Sequence, residues 1–469
     1  MGRGELDSMH DVEPPRERGE IGYQREHHVG RGIEISGDGP FHETQCASCP
    51  AARGGYPRGV THTITRLLDR VGNDLDPVVI GSRSGLLWSR GEFALAGVGE
   101  ALRLPVARPG EAAEAMSALR ALTGVDEIEA SGSGAVAFAA FPFDRTLPGE
   151  LIVPEIVLGR GPDGRRWLTL LGDCSPTDAL ARLGDLRSDS AHERIEARDY
   201  RLESALAPEV WCEIVAAARD RIRSGDLRKV VLARELVLNT DQPIDPAIVL
   251  QRLRQSYGSA ILFAVDGFLG ASPELLVSRS GDIVLAHPLA GTAPRSSDPA
   301  ADHRLSSGLL ASEKDRGEHR ITIDWLLDTL LPFCSYVDAE PEPTIVSLAN
   351  VHHLGTKVEG RLSTPAASIL ELVATLHPTP AVGGDPQGTA LATIRELEQA
   401  DRGRYAGPVG WVDGEGNGAF AVGIRSAQIR GTTARLFAGV GVVAESDPTA
   451  ELAETRTKFQ ALLSALIRP

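Results

Sequence analysis

The chain has 469 residues, enough to bury a large core in one big domain or in several ordinary ones, and a formal net charge of -16. So acidic a chain argues against a nucleic acid or an anionic membrane surface as partner, and no apolar run reaches the ~20 residues of a membrane-spanning helix. The five cysteines are odd in number and scattered, so they do not read as a disulfide framework; with no apolar signal segment at the N-terminus, the expected location is the cytoplasm.

Residues 1–60 are rich in Gly, Arg and His and show no helical or strand period. They are expected to be a disordered tail, or sequence upstream of the true start. Cys46 and Cys49 form a lone CxxC close to His42. Zinc takes four ligands and no second pair stands at finger spacing, so these read as tail cysteines. Residues 61–204 read as β-rich. Strands are expected at 78–80, 85–88, 93–96, 135–141, 152–158 and 167–171, with a helix at 112–122. The short spacings favour antiparallel pairing over βαβ units, and no chemistry announces itself there.

Residues 205–469 contain no linker-like break. Pro208 opens a helix with an apolar face of Trp211, Ile214, Val215, Ala218 and Ile222, and Gly225 stops it. Strands are expected at 229–238, 261–265 and 267–270, with Pro273 breaking the pattern just before Glu274. A strand at 283–287 runs into a glycine turn at 288–292. The run Ser312-Glu-Lys-Asp-Arg-Gly-Glu-His319 then precedes an apolar helical stretch and puts Asp315 and Glu318 on one helix face. A helix at 370–376 ends in His377-Pro-Thr-Pro-Ala-Val-Gly-Gly384, whose prolines and glycines read as an exposed, irregular loop. After strands at 407–412, 419–424 and 434–442, a last helix at 448–466 repeats the carboxylate spacing with Glu451 and Glu454. Two such pairs, brought together, would suit a hard divalent cation that prefers oxygen ligands.

Lysine is rare. Among 48 Lys and Arg residues the lysines are Lys229, Lys314, Lys357 and Lys458, and three of these fall in the stretches that carry chemistry. Lysine, unlike arginine, can lose its proton when desolvated.

Taken together, Lys229-Val-Val-Leu-Ala-Arg, Ser272-Pro-Glu, Pro288-Leu-Ala-Gly-Thr, the 312–319 run, His377-Pro-Thr-Pro-Ala, Gly423-Ile-Arg-Ser-Ala and the Glu451/Glu454/Lys458 set resemble the chorismate-utilising enzymes. The resemblance is strong over residues 205–467 and general in character over 76–200. Within the family the pattern looks like that of isochorismate synthases. It implies an α+β fold with large antiparallel sheets flanked by helices in a single chorismate-utilising domain, and a monomer acting on the small molecule chorismate.

The resemblance also implies a Mg²⁺-dependent attack of water at C2 of chorismate with loss of the C4 hydroxyl. Lys229 matches the family's base and Glu274 its acid. Glu318 and Glu454 match direct Mg²⁺ ligands, while Asp315 and Glu451 match holders of the metal's waters. Arg425 and Lys458 match cations for the substrate carboxylates, and His353 a histidine near the ring, with a packed core histidine as the alternative. Gly291, Thr292, Gly439 and Gly441 would admit backbone N–H groups to the same anions, or serve only as turns. The residue types suit this work: water needs a base on one ring face and the leaving hydroxyl a proton donor on the other. The ammonia-using relatives, anthranilate and aminodeoxychorismate synthases, carry Gln at the position of Lys229. Aminodeoxychorismate synthases have Lys at the position of Ala290. Salicylate synthases, which go on to eliminate pyruvate, tend to have Thr at that of Ala381. Isochorismate release is therefore expected, with a salicylate synthase as the alternative and anthranilate synthase component I a more distant one. Menaquinone and siderophore routes both stay open.

Because residues 1–60 lack a period that could bury apolar surface, their removal is expected to leave melting temperature and activity unchanged. A marked drop in either, or zinc bound at Cys46 and Cys49, would contradict this.

Overall fold

The computed structural model describes residues 62–68, 74–188 and 199–467. The 1–60 segment, with Cys46 and Cys49, lies outside them. The described strands form sheets of thirteen, nine and three strands. Pairing is antiparallel except where His62–Leu67 runs parallel to Thr123–Asp126. The sequence-based expectation of an α+β fold with large antiparallel sheets is met. Both large sheets join the two parts of the chain: Leu86–Arg90 pairs with Ile261–Val265, and Val136–Ala140 with Pro408–Asp413.

Two strands at the centre of this scheme position the site. Lys229–Thr240 and Thr433–Val442 pair antiparallel from Val230↔Val442 to Asn239↔Thr433. Thr433–Val442 alternates strictly between buried and half-buried positions, as a strand with one face on the core must. Its half-buried face presents Phe437, Gly439 and Gly441. Lys229–Thr240 begins as an unbroken buried run, and Lys229 is the only charged group among the largest fully buried side chains of the described residues.

Helix ends complete the frame. The helix Glu313–Leu330 starts at Ser312, whose hydroxyl accepts from the Asp315 N–H at 3.2 Å. That contact satisfies one of the N–H groups left free at a helix start. His319, Thr322, Leu326 and Leu330 form its buried stripe, with Asp315 and Glu318 half-buried at its start and Glu313 exposed. The final helix, Pro448–Ile467, buries Glu451 together with Leu452, Thr455 and Phe459.

Three local expectations are corrected. Residues 78–80 are not a strand but part of the helix Pro77–Ser84. Pro77 stands at its first turn, Asp76 accepts from the Val78 N–H at 3.0 Å, and Gly85 closes it in the left-handed conformation at φ 82°. The expected strand at 152–158 is two strands, Gly149–Val153 and Ile156–Arg160, which lie in different large sheets. Pro154 between them has no N–H for a ladder. The 377–384 segment is buried rather than exposed, apart from the half-buried Ala381. It packs on the start of the Lys229 strand, with Lys229↔Asp385 and Val230↔Gly384 in register.

Ser312→Ala is expected to lower unfolding free energy by about 1 kcal/mol in urea titration, the usual worth of a serine N-cap. An unchanged value would show that the helix start does not depend on this hydroxyl.

Candidate active site

One cavity of about 250 Å³ opens where these elements meet, and it gathers nearly every residue singled out from the sequence. Glu274, Gly291, Thr292, Asp315, Glu318, His353, Ala381, Arg425, Gly439, Gly441, Glu451, Glu454 and Lys458 all line it. Lys229 does not line the wall. It sits just behind it, fully buried, with Nζ 2.8 Å from Glu318 Oε1. Apart from this ion pair the Lys229 Nζ has no polar partner among the described residues. Gly441 makes this pair possible: a Cβ there would run into Glu318 Oε1 and stand 3.1 Å from Lys229 Cε. Of the other lysines, Lys314 and Lys458 line the cavity, while Lys357 is 74% exposed at the surface beside Glu340.

Burial pushes the Glu274 carboxyl up to about 8, against the opposing pull of the Leu289 N–H, Lys229 and Lys458. Its place follows from Pro273, which separates the strands Phe268–Ser272 and Leu275–Ser280 and leaves Glu274 between them. At neutral pH this group is a proton donor.

The four helix carboxylates carry more negative charge than their neighbours balance. Glu318 is pushed up by burial, but Lys229 outweighs that and holds it below the usual range. Glu454 lies 2.6 Å from Lys458 Nζ. Glu451 is pushed up to about 7 by burial and by the charge of Glu454, and Asp315 is raised by burial with Glu318 and Glu454 adding to it. An all-oxygen donor set with excess negative charge fits a hard cation such as Mg²⁺. Among the described residues no three of His, Cys, Asp or Glu already stand close enough to clasp an ion.

Opposite the carboxylates stands Arg425. It makes no ion pair among the described residues, its Nε is buried without a partner, and its backbone holds the left-handed conformation at φ 52°, uncommon for a side chain other than glycine. Its Nη2 lies 3.3 Å from His353 Nε2. His353 Nδ1 is 3.1 Å from the Gly291 carbonyl, which can only accept, so Nδ1 carries the proton and Nε2 accepts from Arg425. Burial, with Arg425 and Lys458 adding to it, pushes His353 down to about 3, so the imidazole stays neutral. The expected glycine turn at 288–292 is instead a strand, Leu289–Pro294, with a register shift between Ala290 and Thr292 and Gly291 at φ 74°.

The sequence reading missed several wall residues. Tyr405 stacks on Phe437 with ring centroids 5.2 Å apart, and its hydroxyl would stand 3.1 Å from a Cβ at Gly439. Gly439 thus leaves room for Tyr405, while its carbonyl accepts from Lys458 Nζ at 2.8 Å. Val231, Leu289, Val382 and Ile424 add apolar wall. Their signal in the sequence was no more than that of core residues; Tyr405, between glycines at 403 and 407, was the one legible exception.

A neutral carboxyl, a buried lysine, a guanidinium without an ion pair and four carboxylates around one small space make this cavity the candidate active site. The chain belongs to the chorismate binding enzyme family, whose sequence pattern it matches over residues 82–467. It is 38% identical over 339 residues to isochorismate synthase DhbC of Bacillus subtilis, covering 70% of this chain and 79% of that one. It is 39% identical over 354 residues to a putative isochorismate synthase MenF of Mycobacterium tuberculosis, covering 72% and 87%. The crystal structure of a putative 2,3-dihydroxybenzoate-specific isochorismate synthase, DhbC from Bacillus anthracis, superposes with a TM-score of 0.70 at 33% identity, over 82% of this chain and 96% of that one.

The raised Glu274 pKa makes a stability prediction. Between the ordinary carboxyl range and about 8, the unfolded chain has lost a proton that the folded chain keeps, so Glu274's contribution disappears as pH rises through about 8. Melting temperature should fall over that window, and Glu274→Gln should flatten the fall. Identical pH profiles for the two proteins would contradict the assignment.

Proposed function

We propose that the chain is an isochorismate synthase, converting chorismate to isochorismate by attack of water at C2 and loss of the C4 hydroxyl. The observation that carries this reading is the pairing, at one cavity, of a buried amine, Lys229, with a carboxyl kept neutral by burial, Glu274. Attack by water needs a base and loss of hydroxide needs an acid, and these groups have the two roles. The similarity to isochorismate synthases supports the choice of substrate.

In this reading Lys229 first gives up the proton it carries beside Glu318 and then takes one from the attacking water while the water's oxygen bonds to C2. Glu274 gives its proton to the departing C4 hydroxyl, which leaves as water. Both groups return to their starting states by exchange with solvent, so the net change is an isomerisation. Arg425 receives a substrate carboxylate: its guanidinium has a planar fork to offer, and the neutral His353 holds it from behind. Lys458 meets the same anionic part of the substrate, and Gly291 and Thr292 line the cavity beside His353. The apolar wall excludes water and strengthens each of these charges. Glu318 and Glu454 would hold Mg²⁺, with Asp315 and Glu451 on its waters, and the ion would supply positive charge to the ring carboxylate and fix the ring's orientation. Ala381 keeps the loop side of the wall small, which favours release of isochorismate over pyruvate elimination.

The test is chorismate with Mg²⁺, with and without ammonium, products separated by chromatography. Isochorismate alone is expected; salicylate with pyruvate, or anthranilate, would contradict the reading. Lys229→Gln should lower turnover by roughly 10²- to 10⁴-fold while chorismate still binds. Because that change also strips Glu318 of its partner, melting must first show that the variant is folded. Near-parental turnover would remove Lys229 from the role of base.

A further inference from the structure

Next to the active site lies a second buried ion pair that touches none of the reacting groups. Glu398 and Arg402 have side chains only 4% and 3% exposed. Glu398 ends the helix Gln387–Glu398, and Gln399 follows in the left-handed conformation, so the chain turns back and brings Arg402 onto it. Arg402 Nε donates to Glu398 Oε2 at 2.9 Å, and Nη2 also contacts Oε1. The remaining donors leave the pair. Nη1 reaches the Val382 carbonyl at 3.1 Å, and Nη2 the Val231 carbonyl at 2.7 Å. Glu398 Oε1 in turn accepts the Ala233 N–H at 2.7 Å. The guanidinium lies over the Phe143 ring, 4.2 Å from its centroid.

These acceptors are not arbitrary backbone. Val231 and Ala233 belong to the strand that begins with Lys229, and Val382 follows Ala381 in the loop that walls the cavity. Loop and strand also meet through their backbones, in the Lys229↔Asp385 and Val230↔Gly384 pairs and where the Val231 N–H donates to the Gly383 carbonyl at 2.9 Å, so the ion pair extends a contact already begun at the strand's start. A pair of charges this deep is costly to desolvate, and apolar residues of similar volume would hold the core as well. What such residues could not do is bind three backbone groups on two separate segments.

We propose that Glu398 and Arg402 are positioning residues for the reaction, locking the strand that carries Lys229 to the loop that carries Ala381. The inference rests on the reading of the cavity as the chorismate site, and its test separates the two. The variants are Arg402→Lys and the double change Glu398→Leu with Arg402→Met. Melting temperature, amide exchange at Val231 and Ala233, and kcat and KM for chorismate at saturating Mg²⁺ are measured well below the melting temperature.

Arg402→Lys keeps the charges balanced, but a single ammonium cannot reproduce the planar fork across Glu398 and two carbonyls. It should melt close to the parent, exchange the Val231 amide faster, and lose kcat by ~10-fold or more with a smaller change in KM. The double variant carries no lone buried charge but takes these partners from the Ala233 N–H and the Val231 and Val382 carbonyls, so it should melt somewhat below the parent and still keep the low kcat. Parental kcat and parental exchange in Arg402→Lys would overturn the proposal, as would a kcat that recovers with melting temperature in the double variant. If the double variant is insoluble, Arg402→Lys alone decides. If the unmodified protein does not turn over chorismate, the functional reading falls, while the exchange measurement still decides whether the pair locks strand to loop.

Discussion

The contact between Lys229 Nζ and Glu318 Oε1, 2.8 Å long, ties the strand Lys229–Thr240 of the largest sheet to the first turns of the acidic helix. Each charge alone would cost several kcal/mol to keep away from water, and removing one partner of such a pair typically destabilises by about 3–5 kcal/mol. The pair therefore constrains what surrounds it. It needs the space left by Gly441 on the neighbouring strand, and it draws Glu318 off its helix toward the cavity floor. The same contact decides which groups are spoken for. Lys229 offsets Glu318, Lys458 offsets Glu454 and Lys314, at 4.0 Å, offsets Glu451 in part, while Glu451, Asp315 and Glu274 are all pushed toward protonation.

That distribution of charge matters more to function than any one residue does. Carboxylates crowd one side of the cavity, and on the other Arg425 stands without an ion pair, its Nη2 on His353 and its Nε without a partner. His353 is kept neutral by burial and by Arg425 itself, so it can accept from the guanidinium without competing for an anion. Between the two sides, Glu274 holds its proton at neutral pH only because its surroundings are dry. A substrate bearing carboxylates and a hydroxyl to be lost matches this layout in both charge and proton supply.

The sequence made these parts legible to different degrees. The carboxylate pairs could be read because helical spacing is rigid: residues three apart share a face wherever the helix goes. Central strands such as 229–238 were legible from their apolar β-branched runs. The helix Pro77–Ser84 was not, because Val-Val-Ile outweighed the cap at Asp76, the first-turn Pro77 and the stop at Gly85, which decide the structure there. The 377–384 segment was misread for an instructive reason. Prolines and glycines mark turns, but here glycine lets backbone pack against backbone: Gly384 takes φ 136°, and a Cβ on it would collide with the Lys229 carbonyl. The Glu398–Arg402 pair had no legible signal, since its role depends on contacts with segments far away in the chain.

The central claim is that water, activated on the Lys229 side of the cavity, supplies the new hydroxyl while the old one leaves toward Glu274. Turnover of chorismate in water enriched in oxygen-18, with the product examined by mass spectrometry, tests this most directly. The account predicts isochorismate carrying one solvent oxygen, located at the C2 hydroxyl, in every molecule formed. Isochorismate without the label would mean that the hydroxyl migrates within the substrate, and would contradict the roles given to both residues.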